Sequence, residues 1–510
     1  MSNGVKSSTY VSILAAGLAT VLVYRLLHAT LFSPLRRVPG PLIARLTSKR
    51  GHVNNFSGQV DSRVQKDRQK YGDVYVFKPN AVCVNDPADV RAILGSQDFR
   101  KADFFDVFDD GSIKNIVSQK DPTLAGRRRR QIGPYLNYAY LNKMEPVIQR
   151  HGFQALQAKW DKLIDEGKGK PAEVNYRLDT QLVTFDIMSA LAFGRDPDSI
   201  SHGSSSITKW TAIIMNLLDY SIVLALISLV PFSTIMRPWK SMYRDLALYS
   251  KDAVSSRKAL LSEVSPESAP ADMLQAFIEA EDPDSKIKMT APEVQAECIM
   301  MMLAGSETTS SAIMWVFHLL LLHPDKLRKA VDEVRGEFAS DHLILHREVL
   351  SRLPFIEACV YEALRVSPTT AGVTPRISYT RGIELQGHYI PPGTEIFVNL
   401  RSPNMSPETW ETPDKFHPER FVGDEAKKNL FTFSYGPRNC IGRNLAWVEM
   451  LTIVANVLNN YDIALAPGTP FGPGKLGANG EPEMLPARCF IASFPANAER
   501  DCRMRITRRK

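Results

Sequence analysis

Cysteine is scarce in this 510-residue chain and follows no pattern: the six, at 83, 298, 359, 440, 489 and 502, include no C-x-x-C pair and no close spacing. Zinc modules and a disulfide framework are therefore excluded, and a reducing compartment is favoured. Internal repeats and low-complexity tracts are absent. So is a nucleotide module in which a glycine-rich turn joins a strand to a helix, and any electrons the chain uses must come from a separate protein. Charge of one sign is only mildly in excess. A net +7, from 62 Lys+Arg against 55 Asp+Glu, is too diffuse for nucleic acid and suits an acidic protein partner or an anionic membrane surface.

Long uncharged runs are also rare. The one of note covers 18 residues between Lys6 and Arg25, close to the ~20 needed to span a bilayer. Residues 1–35 are read as an N-terminal membrane anchor, with Arg36 and Arg37 keeping the body cytosolic. A cleaved signal peptide is the rival, but apolar sequence resumes at Leu26 to Leu35 without a small-residue cleavage site. VPGPL, Val38 to Leu42, then ends any helix in a stiff turn.

With 44% hydrophobic and 23% charged residues, positions 36–510 can bury a substantial core and read as one large domain. Asp61 to Gly72 has helical spacing, VYVFKPNAVCVND alternates as a strand pair around Pro79-Asn80, and helical segments dominate afterwards. Ile222 to Val230 is too short to span a membrane and reads as core or as a second bilayer contact. Ala466 to Pro486, rich in Gly and Pro, reads as a long surface loop. The basic C-terminus, Arg500 to Lys510, reads as a solvated tail.

The most informative stretch is FSYGPRNCIG, Phe433 to Gly442. Gly436 and Gly442 bracket Cys440, allowing positive φ and close approach of the backbone to a flat ligand. Arg438 adds a cation, and the apolar helical run from Ile441 to Leu458 puts Cys440 at a helix N-terminus, where a thiolate is favoured. Every fixed position here matches the signature Phe-x-x-Gly-x-Arg-x-Cys-x-Gly, and the chain resembles the cytochrome P450 family. The resemblance implies a mainly α fold with small β-sheets, preceded by one transmembrane helix, over a haem-thiolate catalytic domain at 36–510. It also implies haem b bound through Cys440, with Phe433, Gly436 and Gly442 around it.

A second block supports the same family. Thr290 and Glu293 form a capping box, with Pro292 in the first turn, and open a helix ending before Pro324. Its apolar course is broken by AGSETTSS, Ala304 to Ser311. Thr308 could simply bond back to the carbonyl of Ala304. The resemblance gives the other reading, in which Gly305 opens room above the iron, Thr308 bonds dioxygen and Glu307 brings protons from solvent.

Glu362 and Arg365 in EALR, three apart, share a helical face. In the family they bond to the arginine of the later PERF motif, here Arg420, and hold the fold around the haem. Haem propionates need cations, for which Arg438, Arg376 and Arg129 are the candidates. The family's aromatic or His before the last of these maps to Ala125, which cannot donate, so one propionate is held differently. Pocket walls are expected from Phe104 to Ile116, Met301 to Ala304 and Thr370 to Val373. In DFFDVFDD, Asp103 to Asp110, either one aspartate faces the pocket and prefers an amine-bearing substrate, or all are solvated.

The implied activity is insertion of one atom of O2 into a hydrophobic small molecule, with electrons from NADPH through cytochrome P450 reductase, optionally joined by cytochrome b5. The implied setting is the endoplasmic reticulum membrane, in fungal secondary metabolism. The rivals are an O2-independent isomerase or dehydratase of the same fold, and a non-catalytic haem-binding membrane protein.

Overall fold

The computed structural model describes residues 2–48, 50, 58–110, 112–168, 170–203, 237–263, 272–370, 372–489 and 493–509. Ile222 to Val230 lies outside them. The helices that build the site are α1 (Ser2–Leu27), α2 (Val60–Tyr71), α3 (Pro87–Gly95), α4 (Pro122–Ile132), α5 (Tyr176–Phe193), α6 (Ala291–Leu322), α7 (Pro354–Val366) and α8 (Arg443–Asn460). The strands are β1 (Val74–Lys78), β2 (Ala81–Val84), β3 (Arg100–Lys101), β4 (Ala172–Asn175), β5 (Val373–Ile377), β6 (Glu395–Asn399), β7 (Tyr461–Leu465) and β8 (Arg503–Arg508).

α6 starts and stops where its sequence signals require. The Thr290 side chain accepts from the Glu293 amide, the Glu293 carboxylate answers the Thr290 amide, and the helix ends at His323, one residue before Pro324. Its 32 residues span ~48 Å at 1.5 Å per residue. Three-quarters of them are buried, and α6 runs through the main apolar core with α5, α7 and α8 packed on it.

A second core lies under a five-stranded sheet of order β1-β2-β6-β5-β3. Asn80 takes positive φ in the turn between β1 and β2, where the sequence placed the hairpin. The pairing that matters for the site is β3 with β5, which sets Lys101 opposite Arg376.

The C-terminus is not the solvated tail its charge suggested. Residues Arg503–Arg508 form the central strand of a three-stranded sheet, between β4 and β7. Two of its three arginines are in ion pairs: Arg508 with Asp161 and Asp165, Arg503 with Glu173. Met504 and Ile506 alternate inward into the core, which is the period-2 pattern that a count of charges hides.

Under α6, Glu362 and Arg365 meet with no exposure at all. The carboxylate accepts from Arg365 at 2.7 and 2.8 Å, from Arg420 at 3.1 Å and from the His417 amide at 2.8 Å. Arg365 also donates to the carbonyls of Asn404, Pro413 and Lys415, tying α7 to the segment that leads into the Cys440 loop. Glu362→Ala strands a buried guanidinium and is expected to cost ~3–5 kcal/mol, read as a fall in the thermal unfolding midpoint.

Candidate active site

Cys440 closes the loop that leads into α8. Its amide donates to the Phe433 carbonyl at 2.9 Å, and Gly436–Arg438 forms one 3₁₀ turn within the loop. Gly436 has φ +72°, and a Cβ there would collide with the backbone of Leu94 and Gly95 at the end of α3. Gly442 is at φ −82°, where any residue is at ease. A Cβ on it would sit 4.0 Å from the Cys440 sulfur. The expectation of positive φ at both glycines therefore holds only at Gly436, which packs on α3 and does not line the cavity; Gly442 does line it.

Cys440 is exposed, and the space it faces is a cavity whose lining it shares. Phe433, Arg438, Gly442 and Leu445 line that cavity beside it, and Met301, Ala304, Gly305 and Thr308 line it from α6. Burial pushes the thiol above its usual range, against the pull of the Gly442 amide, Arg129, Arg443 and Lys101. The thiolate-favouring neighbours are present, but in the protein alone desolvation outweighs them.

Three cations line this cavity, Lys101, Arg129 and Arg438, and a fourth, Arg376, stands opposite Lys101 on the paired strand; each is held by neutral oxygens. Arg129 donates to the backbone and side-chain oxygens of Asn439 at 2.8 and 2.6 Å. Arg376 donates to Thr374 and the Pro375 carbonyl at 2.9 and 3.0 Å. Lys101 donates to the Val117 carbonyl at 2.6 Å, and Arg438 to the carbonyls of Gln119 and Ile116. None of the four forms an ion pair with a described residue. Burial, followed by mutual repulsion, pushes Arg376 down to about 9, Arg438 down to about 10 and Lys101 well below its usual value. The protein thus concentrates positive charge that its own groups leave uncompensated.

The polar residues of α6 divide between two neighbours. Thr308 lines the cavity, and its hydroxyl donates to the Ala304 carbonyl at 2.6 Å, the back-bond that was one of the two readings. Glu307 turns away toward α5. Its carboxylate, 2% exposed, accepts from Arg177 at 2.7 Å and from Gln181, so the expected open path from solvent through Glu307 is not formed. Gly305 gives its space to Met188 of α5, whose sulfur would lie 2.7 Å from a Cβ there. Met188 itself lines the cavity.

The aspartates of Asp103–Phe108 and its flank do not line the cavity. Asp106 and Asp109 pair with Lys114, Asp103 and Asp106 with Lys120. Asp110 accepts from Gln295 at 3.3 Å. These carboxylates hold their own loop together, which overturns the pocket-facing aspartate.

The cytochrome P450 family profile matches residues 39–475. The chain belongs to the cytochrome P450 family. Cytochrome P450 monooxygenase helB1 of Aspergillus fumigatus is 66% identical over 498 residues, which are 98% of this chain and 86% of that protein. The monooxygenase helB2 of the same fungus is 48% identical over 493 residues, 96% of this chain and 97% of the other. The crystal structure of the cytochrome P450DA haem domain superposes at TM-score 0.75 with 18% identity, covering 93% of this chain and 98% of that one, a likeness of fold.

P450s carry haem b on a cysteine thiolate and act as monooxygenases, and this P450 is an enzyme of that class. Its residues fit the group. A cysteine sulfur opens on a cavity bounded by small residues at Ala304 and Gly442, and uncompensated cations await two carboxylates. Lys101, a member of the cation set, is missing from the residues that the sequence motifs single out; its only signal is a place on a strand facing Arg376. Asn439, which orients Arg129, is equally silent.

Glu449 also lines the cavity, and both its carboxylate oxygens lack a hydrogen-bond partner among the described residues. It is the single charged residue in the apolar course of α8 after Arg443, a signal that sequence reading could have used. Burial alone pushes its carboxyl well above the usual range. The folded state then keeps a proton that the unfolded state releases, so this group lowers stability as pH rises through the unfolded value. Glu449→Gln removes the titration, and its stability relative to wild type is expected to grow between pH 5 and pH 8, by up to ~1.4 kcal/mol per pH unit. Urea midpoints of both proteins at the two pH values check this; a difference independent of pH would contradict it.

Proposed function

We propose that Cys440 supplies the axial thiolate to the haem iron, that Lys101, Arg129, Arg376 and Arg438 receive the two propionates, and that Phe433 and Gly442 bound the ring. The cation cluster carries this reading, because four positive groups, Lys101 and Arg376 buried and Arg129 and Arg438 half-buried, stand without a carboxylate partner and call for a dianion. Ala125 is buried and offers no donor, and Lys101 takes up the missing contact. Gly436 serves indirectly, by setting the Cys440 loop against α3.

Bound there, haem supplies activation of O2 and insertion of one oxygen atom into a hydrophobic small molecule. Ile116, Val117, Met300 and Met301 exclude water and seat an apolar substrate. The Thr308 hydroxyl, at the cavity wall, keeps its proton and, on turning from the Ala304 carbonyl, would donate a hydrogen bond into the cavity. Glu307, the adjoining residue, joins that traffic only when the clasp of Arg177 and Gln181 opens.

The N-terminal half of the reading rests on α1. The stretch Ala15–Phe32, with mean hydropathy 1.5, is long and apolar enough to cross a bilayer, and beyond it Leu42 and Ile43 stay exposed. We assign a single-pass anchor in the endoplasmic reticulum membrane, a cytosolic catalytic domain on residues 36–510, and electrons from NADPH-cytochrome P450 reductase with cytochrome b5 as an optional second donor. The fungal relatives support a role in secondary metabolism.

The reduced, carbon-monoxide-bound enzyme is expected to show a strongly red-shifted Soret band that Cys440→Ser abolishes; haem-loaded wild type without that band would refute the assignment. Lys101→Met and Arg376→Met are expected to act with opposite signs on two states. Each should raise the urea midpoint of the apoprotein, by removing an unpaired buried cation, and speed haem loss about tenfold.

A further inference from the structure

Part of the cavity wall is loop. Ile116 and Val117 line it, and the backbone carrying them is gripped from several sides: Lys101 holds the Val117 carbonyl, Arg438 the Ile116 and Gln119 carbonyls, and the Asn115 side chain closes the turn on the amides of Val117 and Ser118. The Ile116 amide alone points to α6. It donates to Glu297 at 3.2 Å.

Glu297 lies on the helical stripe that continues through Met301, Ala304 and Thr308, at spacings of four, three and four. It is 1% exposed. Its other oxygen accepts from Arg128 at 2.9 Å. Arg128, however, also has Glu293 as a partner. The Arg128 guanidinium therefore pairs with two carboxylates, with Arg127 also acting on Glu293, and Glu297 is the one of the two that is fully buried. Burying a second carboxylate is costly, and what the protein gains from it is a fixed amide in the wall of the cavity.

We propose that Glu297 is a positioning residue that determines specificity: by holding the Ile116 amide it fixes the apolar wall formed by Ile116 and Val117, without touching substrate or haem. This rests on the reading of the cavity as the shared seat of haem and substrate. Glutamine at this position sets an NH2 donor where one of the two carboxylate oxygens now accepts, so either Arg128 or the Ile116 amide faces a donor and loses its acceptor.

The test uses full-length enzyme in detergent and two azole probes read by the Soret shift. Imidazole needs only the metal; 4-phenylimidazole also needs the room that the loop bounds. Glu297→Gln is expected to weaken 4-phenylimidazole about tenfold, to leave imidazole within about twofold, and to speed amide hydrogen exchange selectively over residues 113–119. Glu297→Ala should do the same more strongly, and if it fails to load haem the glutamine variant decides by itself. With the carbon-monoxide band intact, equal weakening of both azoles, or no change in either, overturns the inference alone. A wild-type enzyme with neither the band nor an azole shift removes the haem-thiolate reading, and this inference with it.

Discussion

Four cations brought together without an anion are the constraint around which the rest of this P450 is arranged. Lys101, Arg129, Arg376 and Arg438 come from a strand, a helix end, a second strand and the cysteine loop. Each is oriented by neutral oxygens, which fix direction but leave the charge uncompensated. Such a cluster disfavours the empty protein and favours a dianionic occupant, so cofactor binding and folding are energetically linked. The same logic accounts for Cys440: burial holds its thiol protonated in the protein alone, and ligation by a metal is what makes the thiolate stable.

α6 answers a different demand. A polar block at the middle of a buried helix must be satisfied on every side, and the structure shares the work between α5 and the cavity. Arg177, Gln181 and Thr184 take Glu307 and the Ser306 carbonyl, Ser311 donates to the Ser493 carbonyl, and Thr308 is left to the cavity. From α6, Met300, Met301, Ala304, Gly305, Thr308 and Thr309 line the reacting space. Chemistry is thereby confined to one face of one helix, and the hydroxyls of Ser306, Ser310 and Ser311 are structural.

What could be read in the sequence was what depends on local order. The capping box of α6, the hairpin at Asn80 and the Glu362–Arg365 pair follow from spacing along the chain, the link to Arg420 from the family resemblance, and all appear as read. Lys101 and the Glu297–Ile116 bond were illegible, because a strand pairing or a helix packing joins residues whose separation carries no pattern. Glu307 shows a third case: its motif was recognised, but which side of a 3.6-residue helix faced the cavity was decided by α5. The basic terminus misled for the reason that charge composition reports solubility and is blind to alternation.

That terminus has a consequence for the active site. β8 pairs with β4 so that Arg503 lies opposite Asn175, and the Tyr176 amide donates to the Cys502 carbonyl at 3.0 Å. Asn175 is the N-cap of α5, its side chain accepting from the amides of Arg177 and Leu178. The position at which α5 begins is therefore set by the last strand of the chain, and with it the point from which Arg177 reaches Glu307 and Ser310. A shift of β8 by one residue would flip its faces and move that N-cap along with it. The clasp on the α6 carboxylate is thus held from the C-terminal sheet through α5, and it shares no residue with the cation cluster beside Cys440.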